Sequence, residues 1–171
     1  MTAKTPPTPS EIRAYRAENP KLRERDIAAN LGISEAALVA DECGISAIRI
    51  DADPNKLLAR APELGEVMAL SRNDSAVHEK IGIYENIQIG EMTSLTLGEN
   101  IDLRIFNRVW AHAFAVTKKD GETLRRSLQY FDKAGEAIHK VHLRPNSNLV
   151  AYEKIVDDFR LEDQGQLFVA E

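Results

Sequence analysis

The sequence predicts an α+β fold: a large antiparallel β-meander preceded by a helical hairpin and closed by an amphipathic helix. Three observations carry that reading. Apolar residues recur at helical spacing across 11–61 and again across 148–160. Between them, from Glu66 onward, the texture changes to alternation punctuated by turn residues. Within that region Asp120-Gly121 separates two alternating runs, a strong short-range hairpin signal.

The elements follow in order. Residues 1–10 hold three prolines among Thr and Ser and read as a flexible tail. Ser10 caps a helix whose apolar positions begin at Ile12 and Tyr15, and Asn19-Pro20 stops it. A second helix covers 21–30 and ends at Gly32; a third, capped by Ser34, runs to about Asp41. Asp53-Pro54 opens a short helix over 54–61. Strands are expected at 66–72 and 75–81 around Asn73-Asp74, then at 84–89, 93–97, 104–116, 123–131 and 137–143. Leu149, Tyr152, Ile155, Val156 and Phe159 form one stripe of the last helix, 148–160. The expected organisation is thus a single domain over 11–160, with 161–171 as a tail or truncated linker.

A chain of 171 residues is long enough to bury a core, and 43% hydrophobic with 29% charged residues excludes wholesale disorder. The net charge of −5 argues against a generic binder of nucleic-acid backbone. Charge is uneven, however: residues 101–145 hold nine basic and five acidic side chains. A basic island in an acidic chain points to a local anionic ligand rather than a polyanion. Cys43 is the single cysteine, so neither an internal disulfide nor a thiolate metal centre can be built. There is no signal-peptide core and no apolar run long enough to span a membrane, which reads as a cytoplasmic protein without membrane insertion.

Residues 25–38 have the pattern of a helix-turn-helix, with Gly32 at the turn and Ser34 capping the second helix. The would-be recognition helix offers Glu35, Asp41 and Glu42 and no Lys or Arg, and carboxylates repel a duplex. A helical hairpin packed on the sheet is the better reading, with a DNA-binding regulator as the alternative. The four histidines, His78, His112, His139 and His142, lack the spacing of a helical metal site. His112 alternates with Trp110, Phe114 and Val116. With Asp120-Gly121 as a two-residue turn, Gln129 faces His112 and Ser127 faces Phe114, and Arg125, Lys140 and His142 join that face. Such a face suits a flat, apolar, doubly anionic ligand as well as it suits an ordinary half-wet sheet. No nucleophile elbow, phosphate loop or dinucleotide fingerprint occurs.

Several segments in one order resemble the HemS/HmuS family of bacterial haem-utilisation proteins, the hemin-degrading factors. They are Asn19-Pro20, 25–28, 31–36, 64–67, 76–86 (AVHEKIGIYEN), 102–106 (DLRIF), 110–114 (WAHAF), 127–132 (SLQYFD), 135–141 (GEAIHKV) and the closing helix. The resemblance spans about residues 11–160. It implies a haem ligand bound between a broad antiparallel sheet and helices, with Arg104 opposite an axial histidine. The residue pattern agrees: Asp102, Arg104 and Phe106 alternate with Ile101, Leu103 and Ile105, so Arg104 leaves the core side while Phe106 can cover porphyrin. A guanidinium there can hydrogen-bond a distal ligand of the haem, which makes Arg104 the candidate catalytic residue.

Typical members of that family carry two tandem copies of this unit, and their axial histidine comes from the second. Single-copy relatives of the ChuX/HutX type pair two chains instead. The ligand here therefore comes from one of the four histidines or from a partner. His78 is the expected metal ligand, lying near a strand end within the densest stretch of resemblance, and His112 is the fallback. The expected function is haem trafficking or haem degradation, a possible oxygenase-like activity, with haem-import machinery or a haem oxygenase as partners. The assembly expected is a homodimer or completion by a second repeat, and a half-domain that binds haem only when completed by a second copy is the alternative function.

Overall fold

The computed structural model describes residues 5–171. Of the expected N-terminal tail, residues 1–4 lie outside the described residues. Three helices come first: α1 (Pro9–Glu18), α2 (Glu24–Leu31) and α3 (Glu35–Ala40). A strand β1 (Ala47–Ile50) and helix α4 (Pro54–Arg60) follow, and a 3-10 turn over Ala61–Leu64 extends α4. The remaining strands are β2 (Val67–Arg72), β3 (Val77–Gly82), β4 (Ile87–Gln88), β5 (Thr93–Leu97), β6 (Asp102–Phe106), β7 (His112–Asp120), β8 (Thr123–Phe131) and β9 (Ala137–Leu143). Helix α5 (Leu149–Phe159) closes the chain, capped by the Asn148 side chain.

The α+β class stands, but the single meander is in fact two sheets. Six strands run in the order β1-β7-β8-β9-β2-β3, and β4-β5-β6 form a separate antiparallel sheet. The expected continuous strand over 104–116 breaks at a 3-10 turn, Asn107–Val109. There the Asn107 amide donates to the carbonyl oxygens of Gly90 and Glu91, which turns the chain from one sheet to the other. Most of 84–89 is loop, with Asn86 at φ 50 and only Ile87–Gln88 paired. β1 escapes a periodicity reading because Ala-Ile-Arg-Ile is short and set among helices.

One helix cap and one turn also move. Thr8, not Ser10, caps α1, accepting from the Glu11 amide while the Glu11 carboxylate accepts from the Thr8 amide. The β7–β8 loop is Gly121-Glu122, since Asp120 pairs with Thr123. Gly121 takes φ 64 at the first loop position, the left-handed geometry that a two-residue hairpin needs. The register therefore shifts by two: Phe131 lies opposite His112, Gln129 opposite Phe114 and Ser127 opposite Val116.

Side-chain alternation sends the six-stranded sheet into two cores. One face (Val67, Ala69, Ala113, Ala115, Leu128, Tyr130 and Val141) packs on Leu57 and Leu58 of α4, Tyr152, Ile155, Val156 and Phe159 of α5, and Ile101 and Ile105 beneath the small sheet. The other face gives Ala47, Phe114 and Phe131 to Ala36 and Ala40 of α3. Helix α3 is thus a packing helix, with Ala36 and Ala40 fully buried and none of its residues exposed. Residues 161–171 carry no helix or strand, yet they are anchored. The Gln164 amide donates to the Arg49 carbonyl, Gln166 donates to that of Cys43, and Phe168 joins the α3 core.

One core group lacks a partner. The Tyr130 hydroxyl is fully buried and makes no hydrogen bond among the described residues. Tyr130→Phe is expected to raise stability by about 1 kcal/mol, because the desolvated hydroxyl returns nothing in the folded state. Chemical denaturation checks this, and a loss of stability would reveal a hidden partner such as a buried water.

Candidate functional site

The small sheet separates its residues by face. Leu103 and Ile105 turn inward, as do Ser94 and Thr96, which are fully buried. Their hydroxyls are satisfied: Ser94 donates to Asn55 Oδ1 at 2.5 Å and Thr96 to the Glu85 carbonyl at 3.0 Å. The outer face is left with Leu95 paired to Arg104, Thr93 to Phe106 and Leu97 to Asp102. Arg104 is exposed there and has no carboxylate partner among the described residues.

The apolar side chains near this face are unusually open. Phe106 is 58% exposed and Met92 57%, and Ile89 and Val109 are about as open. They gather at one end, because the Asn107 amide bonds the Met92 carbonyl and draws the end of β6 onto the Ile89–Met92 turn. An apolar cluster of this kind beside the unpaired Arg104 has the make-up of a binding surface. The structure therefore brings Arg104 and Phe106 together, and it places both histidine candidates elsewhere.

His78 is exposed on the edge strand β3 of the other sheet, opposite Ser71. His112 is half-buried, facing the helical layer, with its ring edge-on to Phe168 at 4.7 Å. Its Nε2 is buried without a partner, and burial followed by the charge of Arg49 lowers its pKa. Trp110 does not share that face: it packs at 4.9 Å on Tyr130 and 5.8 Å on His139, in the opposite core.

The rest of the expected mixed face forms a cleft instead. Gln129, Lys140 and His142 line a cavity of about 380 Å³ under the helical hairpin, with Leu38, Val39 and Val116. Burial, then the charges of Lys140 and Arg125, hold His142 at a pKa of about 4. Glu35 of α3 crosses the cleft to pair with Lys140 at 3.4 Å and with Arg72. Arg125 lies outside, paired with Asp120 at the exposed hairpin.

The sequence reading missed Tyr84. Its hydroxyl meets His139 Nε2 at 2.5 Å, while His139 Nδ1 meets Ser71 Oγ at 2.8 Å. No spacing in the sequence joins residues from three separate strands and loops. Among the described residues no group of three or more His, Cys, Asp or Glu is arranged to hold a metal ion, and no helix is long and apolar enough to cross a membrane.

Comparison with known proteins agrees with this architecture. The family model of the haemin-degrading HemS/ChuX domain matches residues 32–159. The hemin transport protein HmuS of Yersinia pestis is 38% identical over 153 residues, which cover 89% of this chain and 44% of HmuS. The crystal structure of holo-PhuS, a heme-binding protein from Pseudomonas aeruginosa, superposes with a TM-score of 0.91 at 38% identity, covering 96% of this chain and 49% of PhuS. The heme-degrading enzyme ChuS of Escherichia coli O157:H7 gives a TM-score of 0.82 at 28% identity, covering 94% and 51%. The chain spans about half the length of these relatives. In sequence and in fold, the chain belongs to the haemin-degrading HemS/ChuX domain family.

Proposed function

We propose that this chain binds haem on the outer face of its three-stranded sheet, as one unit of a two-unit haem-handling assembly in the cytoplasm. The observation that carries this reading is the uncovered apolar cluster beside the unpaired Arg104. The half-length match to a heme-binding protein supports it. Phe106 and Leu95 cover one side of a porphyrin, and Arg104 donates hydrogen bonds above the ring. Bound haem supplies the redox chemistry, and the protein supplies orientation and exclusion of water.

β4, β5 and β6 carry no histidine, so this face fits one side of the ring only. The imidazole for the iron comes from the exposed His78 or from the second unit, which is a tandem repeat or another copy of this chain. In such an assembly the cargo is received from haem-import machinery and either passed to a haem oxygenase or degraded in place.

Hemin titration tests the reading. A saturable Soret shift is expected, and a non-saturating one overturns it. Arg104→Ala is expected to weaken binding by roughly 10- to 100-fold, the loss of a charge-assisted hydrogen bond worth about 1.5–3 kcal/mol, while the exposed position leaves the melting temperature unchanged. Unfolding of that variant would make Arg104 structural. His78→Ala is read in the same titration. A changed coordination spectrum assigns the ligand to this chain, and an unchanged one assigns it to the second unit. Aerobic incubation with an electron donor and catalase separates carrier from enzyme by whether a tetrapyrrole product forms.

A further inference from the structure

Two tyrosines lie fully buried in the main core, Tyr84 and Tyr130. They differ in one respect. Tyr130 has no hydrogen-bond partner for its hydroxyl, whereas Tyr84 is held 2.5 Å from a histidine nitrogen. The histidine is itself oriented. His139 is 2% exposed, and with a proton on Nδ1 given to Ser71 Oγ at 2.8 Å, its Nε2 is left as the acceptor for the Tyr84 hydroxyl. Trp110 completes the set. It is partly exposed, it lines a surface depression with Asp51, Pro54 and Asn107, and its ring stands 5.8 Å from His139 and 4.9 Å from Tyr130. An aromatic series thus leads from the surface to the core: Trp110, then the His139 ring, then Tyr84, whose ring stands 6.2 Å from that of His139.

From this geometry we propose that Tyr84 and His139 form a proton-coupled redox pair, reached through Trp110, in which Tyr84 is a reversible one-electron donor. The step balances simply. One electron leaves Tyr84 by way of Trp110 to a one-electron oxidant at the surface, which is reduced by one. The phenolic proton moves along the existing hydrogen bond to His139 Nε2, leaving a neutral phenoxyl radical beside an imidazolium. A one-electron reductant such as a thiol or ascorbate restores Tyr84, and the proton returns.

The environment suits the step. Burial holds His139 at a pKa of about 4, so it is neutral and able to accept at pH 7, and burial pushes Tyr84 far above the usual phenol range. Direct loss of the proton to water is thereby closed, and transfer to His139 is the open route. Tyr130, equally buried, has no base and cannot follow it. The pair exists independently of any ligand, but its use rests on the haem reading. Hemin exposed to peroxide generates one-electron oxidants, and this array would carry their oxidising charge away from the apolar face.

The test uses the chain alone, without hemin, so its outcome is separable from that of the hemin titration. Flash oxidation by a photogenerated ruthenium(III) polypyridyl complex is followed by transient absorption and electron paramagnetic resonance. A tyrosyl radical with a solvent deuterium isotope effect on its formation is expected. Tyr84→Phe should abolish it and Tyr130→Phe should leave it intact. His139→Gln should slow its formation by roughly 10²-fold, the usual effect of removing a positioned proton acceptor, and remove the isotope effect. If His139→Gln fails to fold, Ser71→Ala serves in its place, with weaker orientation of the ring and a smaller effect of the same sign. A radical of equal yield and lifetime in Tyr84→Phe, or one without an isotope effect in the unaltered chain, overturns the proposal.

Discussion

Glu35→Ala is expected to cost about 3 kcal/mol of stability, far more than the ~0.5 kcal/mol typical of an exposed ion pair. Glu35 is a carboxylate shared by two cations under the helical hairpin, Lys140 at 3.4 Å and Arg72, and is itself only 11% exposed. Their side chains are 15% and 20% exposed, so neither recovers full hydration once the carboxylate is gone. Burial already holds Lys140 at a pKa of about 8, against 10.5 for a free lysine. Urea denaturation measures the loss. Adding Lys140→Met to Glu35→Ala should return most of it, because the stranded charge is then removed. A Glu35→Ala loss no greater than that of a surface pair would show that water reaches the cleft freely.

Acid should weaken the fold well before its carboxylates are all protonated. His139 and His142 each titrate near 4 in the folded chain, held down chiefly by burial, against 6.5 when unfolded. Between those values the unfolded chain binds more protons, so stability falls as pH falls. Each histidine then contributes about 3 kcal/mol of loss, complete once pH drops below 4. Asp41 acts oppositely. Burial raises it to about 6 from 3.8, so the folded state takes up that proton first, offsetting a similar amount. A net loss of about 3 kcal/mol between pH 6.5 and 4 is expected. Denaturation midpoints over that range measure it, and His142→Gln should remove about half of the gross histidine contribution. A rise of about 3 kcal/mol over that range, the Asp41 contribution alone, would mean that both rings take up their protons in the folded protein as readily as in the unfolded chain.

Much of this architecture was legible because local signals agreed with the global packing. Ser34, Gly32 and the 93–97, 123–131 and 137–143 strands stand where capping and alternation put them. The alternation of Ile101, Leu103 and Ile105 with Arg104 and Phe106 likewise set the face on which those two side chains emerge. What escaped was non-local. Nothing before Asn107 signals that its amide will turn the chain from one sheet to another, and a hairpin register moved by two residues keeps every side chain on its original face. Alternation puts His112 on a partly buried face, where it stands, but gives no sign that Phe168, more than fifty residues later, lies against it. The meeting of Tyr84, His139 and Ser71 depends on strand order, which periodicity does not encode.

Strand order also governs how this fold is reached. β7, β8 and β9 are joined by tight turns and can zip in sequence, whereas β1–β7 and β2–β9 unite segments roughly seventy residues apart, each closing a large loop at an entropic cost. Synthesis at about 5–20 residues per second leaves the β2–β3 hairpin waiting several seconds for β9 to emerge. During that interval the edge of β2 that β9 will later occupy is bare. The slow, aggregation-sensitive phase of refolding is therefore expected to be the docking of that hairpin rather than formation of the meander.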